Sequence, residues 1–326
     1  MRFRVLAVAA AGLAVAVFLV FRIGLAPVLH ATVHVGAAGF AVIVLFQLML
    51  NPVLAAGWAA VAPARAAPFS TLMIGRQIRD SVGDVLPFSQ LGGIVAGARA
   101  ASLRGFAAAS AFASAIADVT TELMSQILYV AFGAAYLLLE TRLASPSRLA
   151  TGLLFGTVLM IPGIGVFVFL QTRGSRLAES LAKRFFPAGV RHAAAFHRAV
   201  GEIYRAPARV AASAAIHLAG WFASGAGTWI IFRLMGGHIG FLAAAAMEAL
   251  LGGIRSAFVF VPSALGVQEA GYAALAPLFG LPPEAGIAAA LLKRAREIVI
   301  GVPVLLAWQA MEGRHALQRA DDLPEG

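Results

Sequence analysis

Asp118 and Glu122 stand four residues apart in an apolar run, and Lys293, Arg294, Arg296 and Glu297 crowd one turn of another. Four-residue spacing puts Asp118 and Glu122 on one helix face, and it predicts that Lys293 faces Glu297. Inside a membrane span an ionisable side chain costs several kcal/mol, so such residues normally face a bundle interior or an aqueous path. The chemistry open to this set is polar rather than redox. Lys293, Arg294 and Arg296 would attract an anionic group, while Glu269 and Glu297 would balance cations and contact polar headgroup atoms. Arg255 adds a further charge nearby. A carboxylate acting as base in an intramembrane transferase is the enzymatic alternative.

Glu269 lies in the stretch VPSALGVQEAG, residues 261–271, where Pro262, Ser263, Gly266, Gln268 and Gly271 interrupt an apolar sequence. An earlier stretch matches it. Ser89-Gln90-Leu91-Gly92-Gly93-Ile94-Val95-Ala96-Gly97 and Ser263 to Gly271 both read S-x-L-G-x-x-x-A-G, each after a proline, Pro87 or Pro262. Gly105 and Gly280 close the two segments; thirteen residues on stand Asp118 and Lys293, and seventeen residues on stand Glu122 and Glu297. Two related halves follow, each a broken hydrophobic segment and then a long helix with buried charge. Paired interrupted segments point to a transporter-type binding site, since broken backbone at membrane depth survives only where protein or a watery cavity satisfies it. The expectation is two re-entrant segments lining a polar cavity; kinked helices packed through glycine are the plainer reading.

These residues must be held by helices. Only 12% of the 326 residues are charged, about half the ~25% of a soluble domain. Spans of roughly 20 apolar residues recur, without the short alternating segments of a β-barrel. The fold class is all-α: a polytopic transmembrane helix bundle of seven or eight spans with two Pro/Gly-broken segments related by internal repeat. Spans are expected at 5–21 (an uncleaved first helix), 35–61, 106–139, 149–170, 210–234, 239–261 and 284–311. The broken segments are 84–104 and 262–280, and the mixed stretch 63–80 is read as lying along the cytoplasmic surface. The expected organisation is a first half over 1–170, a basic amphipathic cytoplasmic loop over 171–208, and a second half with a short polar tail over 209–326. In the loop Leu177, Leu181 and Phe185, then Phe196, Val200 and Tyr204, recur every four residues.

The chain has no cysteine, which excludes disulfides and thiolate chemistry. The net charge of +10 is assigned to basic loops on an anionic membrane surface, not to nucleic acid. His30 and His34 are two ligands and make no metal site; the tryptophans read as interfacial anchors. No nucleophile elbow, P-loop or zinc-protease motif occurs. No catalytic residue, metal or cofactor is expected.

VPSALGVQEAGYAALAPLFGLPPEAGIAAALLKRAREIVIGVP and LPFSQLGGIVAGARA resemble the membrane region of lysylphosphatidylglycerol synthases, and within it the HpnL group of hopanoid-biosynthesis-associated membrane proteins. The resemblance covers most of the chain. It implies a flippase-like role in the bacterial cytoplasmic membrane, with membrane lipids (hopanoid, anionic or aminoacylated) as cargo and hopanoid-synthesis enzymes as candidate partners. It carries over to Pro262, Ser263, Gly266, Glu269, Gly271, Lys293, Arg294 and Glu297 without assigning individual roles. In the larger synthases a separate soluble domain makes the lipid, and these residues hold none, so translocation without synthesis is expected. A non-transporting scaffold for lipid-modifying enzymes is the rival.

Overall fold

The computed structural model describes residues 25–63, 67–85, 89–140, 190–258, 261 and 264–321. The expected spans at 5–21 and 149–170, the loop residues 171–189, Pro87, Pro262, Ser263 and the side chains of Ser89 and Gln90 lie outside the described residues. The regular elements among those described are helices: α1 (Leu25–Val61), α2 (Phe69–Val85), α3 (Ser89–Leu103), α4 (Ala108–Glu140), α5 (Val190–Tyr204), α6 (Pro207–Leu234), α7 (Phe241–Ala257), α8 (Val267–Leu275, continued by a 3-10 turn to Phe279) and α9 (Pro283–Asp321). Lipid offers no partner for backbone N–H and C=O groups, and a helix pairs them within its own segment. Val33–Val61, Ala108–Glu140 and Pro207–Leu234 are long and apolar enough to cross a membrane. The chain is an all-α helical membrane bundle.

The helices α1 and α6 run antiparallel through the middle. Gly57 lies against His217, Gly220 against Leu54, Gly227 against Phe46 and Gly39 against Leu234. After each comes the same sequence of elements: a short helix, a break, a short return and a long helix. The short helices α2 and α7 have 17 residues each, about 25 Å at 1.5 Å per residue. At their ends the chain turns back. Gly97 of α3 packs on Gly75 and Arg79 of α2, and Gly271 of α8 packs on Leu251 and Ile254 of α7. Both are hairpins, closed by glycines in the left-handed region, Gly105 at φ 91° and Gly280 at φ 75°, where only glycine avoids a steric cost.

Each hairpin lies along the long helix of the other half. The α7 arm runs antiparallel to α4, with Gly133 against Ala246 and Ala249, Gly253 against Val130, and Gln126 at Gly252 and Ser256. The α2 arm runs antiparallel to α9, with Gly301 against Ser81 and Val85, and Val304, Leu305 and Trp308 packed on the cluster of Ile78, Val82, Ala96 and Ala100. The tips therefore reach residues 126 and 301, near the midpoints of helices of 33 and 39 residues. The bases open at opposite ends of α1. The first packs with Val61 and Phe106, the second with Val35, Ile239 and Leu281. Val35 and Val61 are roughly 39 Å apart along a helix, more than the ~30 Å of a bilayer core. The two hairpins are re-entrant from opposite faces.

Three expectations are corrected here. The stretch 63–80 is not a surface segment: its helical part is the outer arm of the first hairpin, with Thr71, Leu72, Arg76 and Ile78 buried. The stretch 239–261 is not a full span, because α7 turns back at mid-depth. Trp58 is no interfacial anchor either; it is buried and donates its indole N–H to Ser114 Oγ at 3.0 Å. Within the basic loop, α5 packs Ala199, Val200 and Ile203, with Phe196 and Tyr204, at the base of the first hairpin. Arg104, Arg198, Arg205 and Arg209 belong to that end of the bundle, for which the positive-inside rule predicts the cytoplasmic side.

A Cβ on Gly97 would stand 2.6 Å from the Gly75 carbonyl oxygen and 2.8 Å from Arg79 Cβ. Backbone cannot yield there as a flexible side chain can. Gly97→Val is expected to splay the first hairpin at a cost of about 1–3 kcal/mol, read as a lower thermal midpoint of the detergent-purified protein. An unchanged midpoint would contradict this close packing.

Candidate functional site at the meeting of two hairpins

The buried charges fall into three groups. In the first half, Arg76 (2% exposed) donates from Nε to Asp80 at 2.9 Å, from Nη1 to Asp118 at 3.1 Å and from Nη2 to Glu122 at 2.7 Å. Arg79 donates to Asp118 at 2.6 Å and also to Glu122. His217 of α6 meets the other Asp118 oxygen at 2.7 Å. Two guanidinium forks thus clamp two carboxylates, the geometry in which charge-assisted bonds are strongest. Asp118 and Glu122 share one face, as their spacing predicts. Their cations come from a segment that sequence reasoning placed on the surface.

In the second half, Lys293 (3% exposed) donates to Glu248 Oε1 at 2.6 Å, to Tyr272 Oη at 2.8 Å and to Thr228 Oγ1 at 3.0 Å. Glu248 accepts in turn from Thr228 at 2.8 Å, from Ser224 at 3.2 Å and from Tyr272. This corrects the expected pairing of Lys293 with Glu297. Lys293 turns toward α6, α7 and α8, and its counter-ion is a residue that the sequence analysis did not single out. The two pairs are counterparts. Asp118 and Lys293 occupy matched places on α4 and α9; Arg76 and Glu248 stand on the matched arms α2 and α7. The polarity is reversed between halves.

The third group runs between the tips. Arg294 donates to Glu297 at 3.0 Å and lies 3.6 Å from Glu269, while Arg296 lies 3.6 Å from the other Glu297 oxygen. Gln268 and Glu269 are buried at the start of α8, after Gly266 at φ 75°; among the described residues Gln268 Oε1 and Glu269 Oε2 accept no hydrogen bond. Arg255 sits in the last turn of α7. Between α1, α2 and α9 lies a polar cavity of about 30 Å³, lined among others by Asn51, Gln77, Asp80, Asp84, Arg296 and Glu297. That is room for a water or two, not for a lipid headgroup. A second cleft of about 280 Å³ opens beside Tyr136, Glu140, Leu278 and Phe279, at the base of the second hairpin.

Of the predicted site residues, Arg255, Gln268, Glu269, Arg294, Arg296 and Glu297 gather around the hairpin tips and α9. Asp118, Glu122 and Lys293 belong instead to the two ionic staples. Gly97 and Gly271 are packing contacts between hairpin arms, and Gly92 is exposed on α3. Arg76, Arg79, Asp84 and Glu248 were missed. Arg76 and Arg79 carried a readable signal, since buried acids four residues apart need cations at matching helical spacing. Glu248 carried another, as the lone acid in an apolar helix.

With this geometry in place, the comparisons with known proteins are specific at one level. The family model described as the lysylphosphatidylglycerol synthase TM region matches residues 5–304. The chain belongs to this family. No curated protein matches it, and no solved structure does. As a member of the lysylphosphatidylglycerol synthase TM-region family it is a membrane protein with a lipid-related function.

Proposed function

We propose that this protein is a lipid translocator of the bacterial cytoplasmic membrane, moving the polar headgroup of a hopanoid or related polar lipid between leaflets without chemical change. One observation carries the reading: two re-entrant hairpins enter from opposite faces and bring their tips together at mid-depth. Inverted halves with broken helices meeting near the midplane are the arrangement from which secondary transporters build alternating access. In this reading the closed packing of the tips corresponds to an occluded state. Rocking either hairpin on the long helix it crosses would open the charged centre toward that hairpin's own face, letting a headgroup enter while its tail stays in lipid. Arg255, Arg294 and Arg296 supply positive charge for a phosphate or other anionic group, and Glu269 and Gln268 supply buried acceptors for its hydroxyl or amino groups. The resemblance of the motif around Glu269 to the HpnL group supports hopanoid cargo.

Reconstitution tests it. Vesicles containing the purified protein and fluorescent analogues of phosphatidylglycerol and of a polar hopanoid are treated with an impermeant quencher. Faster loss of the protected inner-leaflet signal than in protein-free vesicles is expected for at least one probe. Equal rates for every probe would refute the translocator reading.

A further inference from the structure

The two halves differ at one matched place. In the second half Gln126 of α4 reaches the α7 tip and donates to Gly252 O at 3.2 Å and to Ser256 Oγ at 3.0 Å, closing the contact. The register that pairs Glu122 with Glu297 pairs Gln126 with Gly301, and the equal lengths of α2 and α7 pair Asp84 with Ser256. So where one tip is latched by amide and hydroxyl, the other presents a carboxylate across a glycine, and the gap is the water-sized cavity. Asp84 is placed against its own helix. It is the penultimate residue of α2, where the backbone dipole disfavours negative charge. The charged groups facing it are Asp80 from its own helix, Glu297 and Arg296 from α9, and Arg255 from the opposite tip. Asp80 is already engaged by Arg76, and Glu297 by Arg294. Among the described residues that line the cavity, Asp84 is the acid that can lose or regain charge without breaking a hydrogen-bonded ion pair.

We propose that Asp84 is a proton-binding site that couples this protein to the transmembrane proton gradient. Its carboxylate takes a proton from hydronium when the cavity is in contact with one face, and returns it to water when in contact with the other. The size of the cavity fits this ligand, since it admits water and excludes a headgroup. Ionised Asp84 attracts Arg255 of the opposite tip and Arg296 of α9 and repels Asp80 and Glu297. Neutral Asp84 gives up the attraction to Arg255, so uptake of a proton weakens the hold of one tip on the other and its release restores it. The inference rests on the translocator reading for its use, but the site itself can be tested apart from transport.

The full-length protein in phosphatidylglycerol–phosphatidylethanolamine vesicles is titrated by infrared difference spectroscopy from mildly acidic to mildly alkaline pH, a range where exposed carboxylates are already ionised. A protonated-carboxyl carbonyl band that vanishes as pH rises is expected, lost in Asp84→Asn and kept in Asp80→Asn. No such band, or an undiminished band in Asp84→Asn, would overturn the proposal whatever the transport assay gives. In the leaflet-exchange assay an imposed pH gradient is expected to change the rate severalfold in the wild type and to have no effect in Asp84→Asn. Exchange indifferent to the gradient would sink the coupling while leaving the translocator reading intact; no exchange at all, with the band present, would sink the translocator reading and leave the proton site standing.

Discussion

Lys293→Met is expected to cost roughly 3–5 kcal/mol of stability, the penalty for removing one partner of a buried ion pair. Glu248 is only 7% exposed, and without the ammonium group it keeps three hydroxyl donors but no counter-charge. The expected readout is loss of the monodisperse peak after brief heating of the detergent-solubilised protein, at a temperature the wild type survives. A second variant separates charge from shape. Glu248→Leu combined with Lys293→Met removes both charges, and replacing a buried pair by apolar groups of similar volume is often neutral or stabilising. The double variant should therefore recover most of the loss, less the cost of leaving the Tyr272 and Thr228 hydroxyls with fewer partners. Single and double variants equally damaged would mean that the hydroxyl network, not the charge pair, holds α7 to α9. The first half has no such simple swap, because Asp118 answers to Arg76, Arg79 and His217 together.

The contrast between the halves explains how far the sequence could be read. The second arms of the hairpins were legible because they carry the S-x-L-G-x-x-x-A-G repeat, and its last glycine marks where one arm packs closely on the other, Gly97 on the Gly75 backbone and Gly271 on the Leu251 side chain. The long helices were legible by composition, and of the charges matched by register Asp118 and Lys293 each pair with the short first arm of their own half, whereas Glu122 meets that arm and Glu297 does not. The first arms were hidden, for opposite reasons. In α2, Arg76, Arg79, Asp80 and Asp84 make the segment look solvated; it is buried only because its counter-ions arrive from residues 42 and 46 positions further on. In α7 the near-continuous apolar run reads as a span, and nothing local says that it stops half-way. Pairings of buried charge over such separations are set by topology, whereas Lys293 and Glu297 were paired on local spacing alone and found different partners.

The disposition of the hairpins yields an all-or-none result. With no native cysteine, single cysteines can be introduced without background, one at Gly105 and one at Gly280. Both positions close a hairpin, and neither has a heavy atom within 4 Å of where a side chain would begin. Both glycines have positive φ, so each substitution costs some local strain, of order 1 kcal/mol, but no packing. In intact cells a membrane-impermeant thiol reagent should label the cysteine at 280 fully and leave the one at 105 unlabelled. In inverted membrane vesicles the pattern should reverse. The side follows from charge: Arg104, Arg198, Arg205 and Arg209 belong to the end of the bundle that holds residue 105, and the positive-inside rule puts that end in the cytoplasm. Labelling of both positions from one face would mean that the halves enter the bilayer from the same side. The tips could then not form a meeting point reached from two faces, and the inverted repeat on which the proposed translocation depends would be gone.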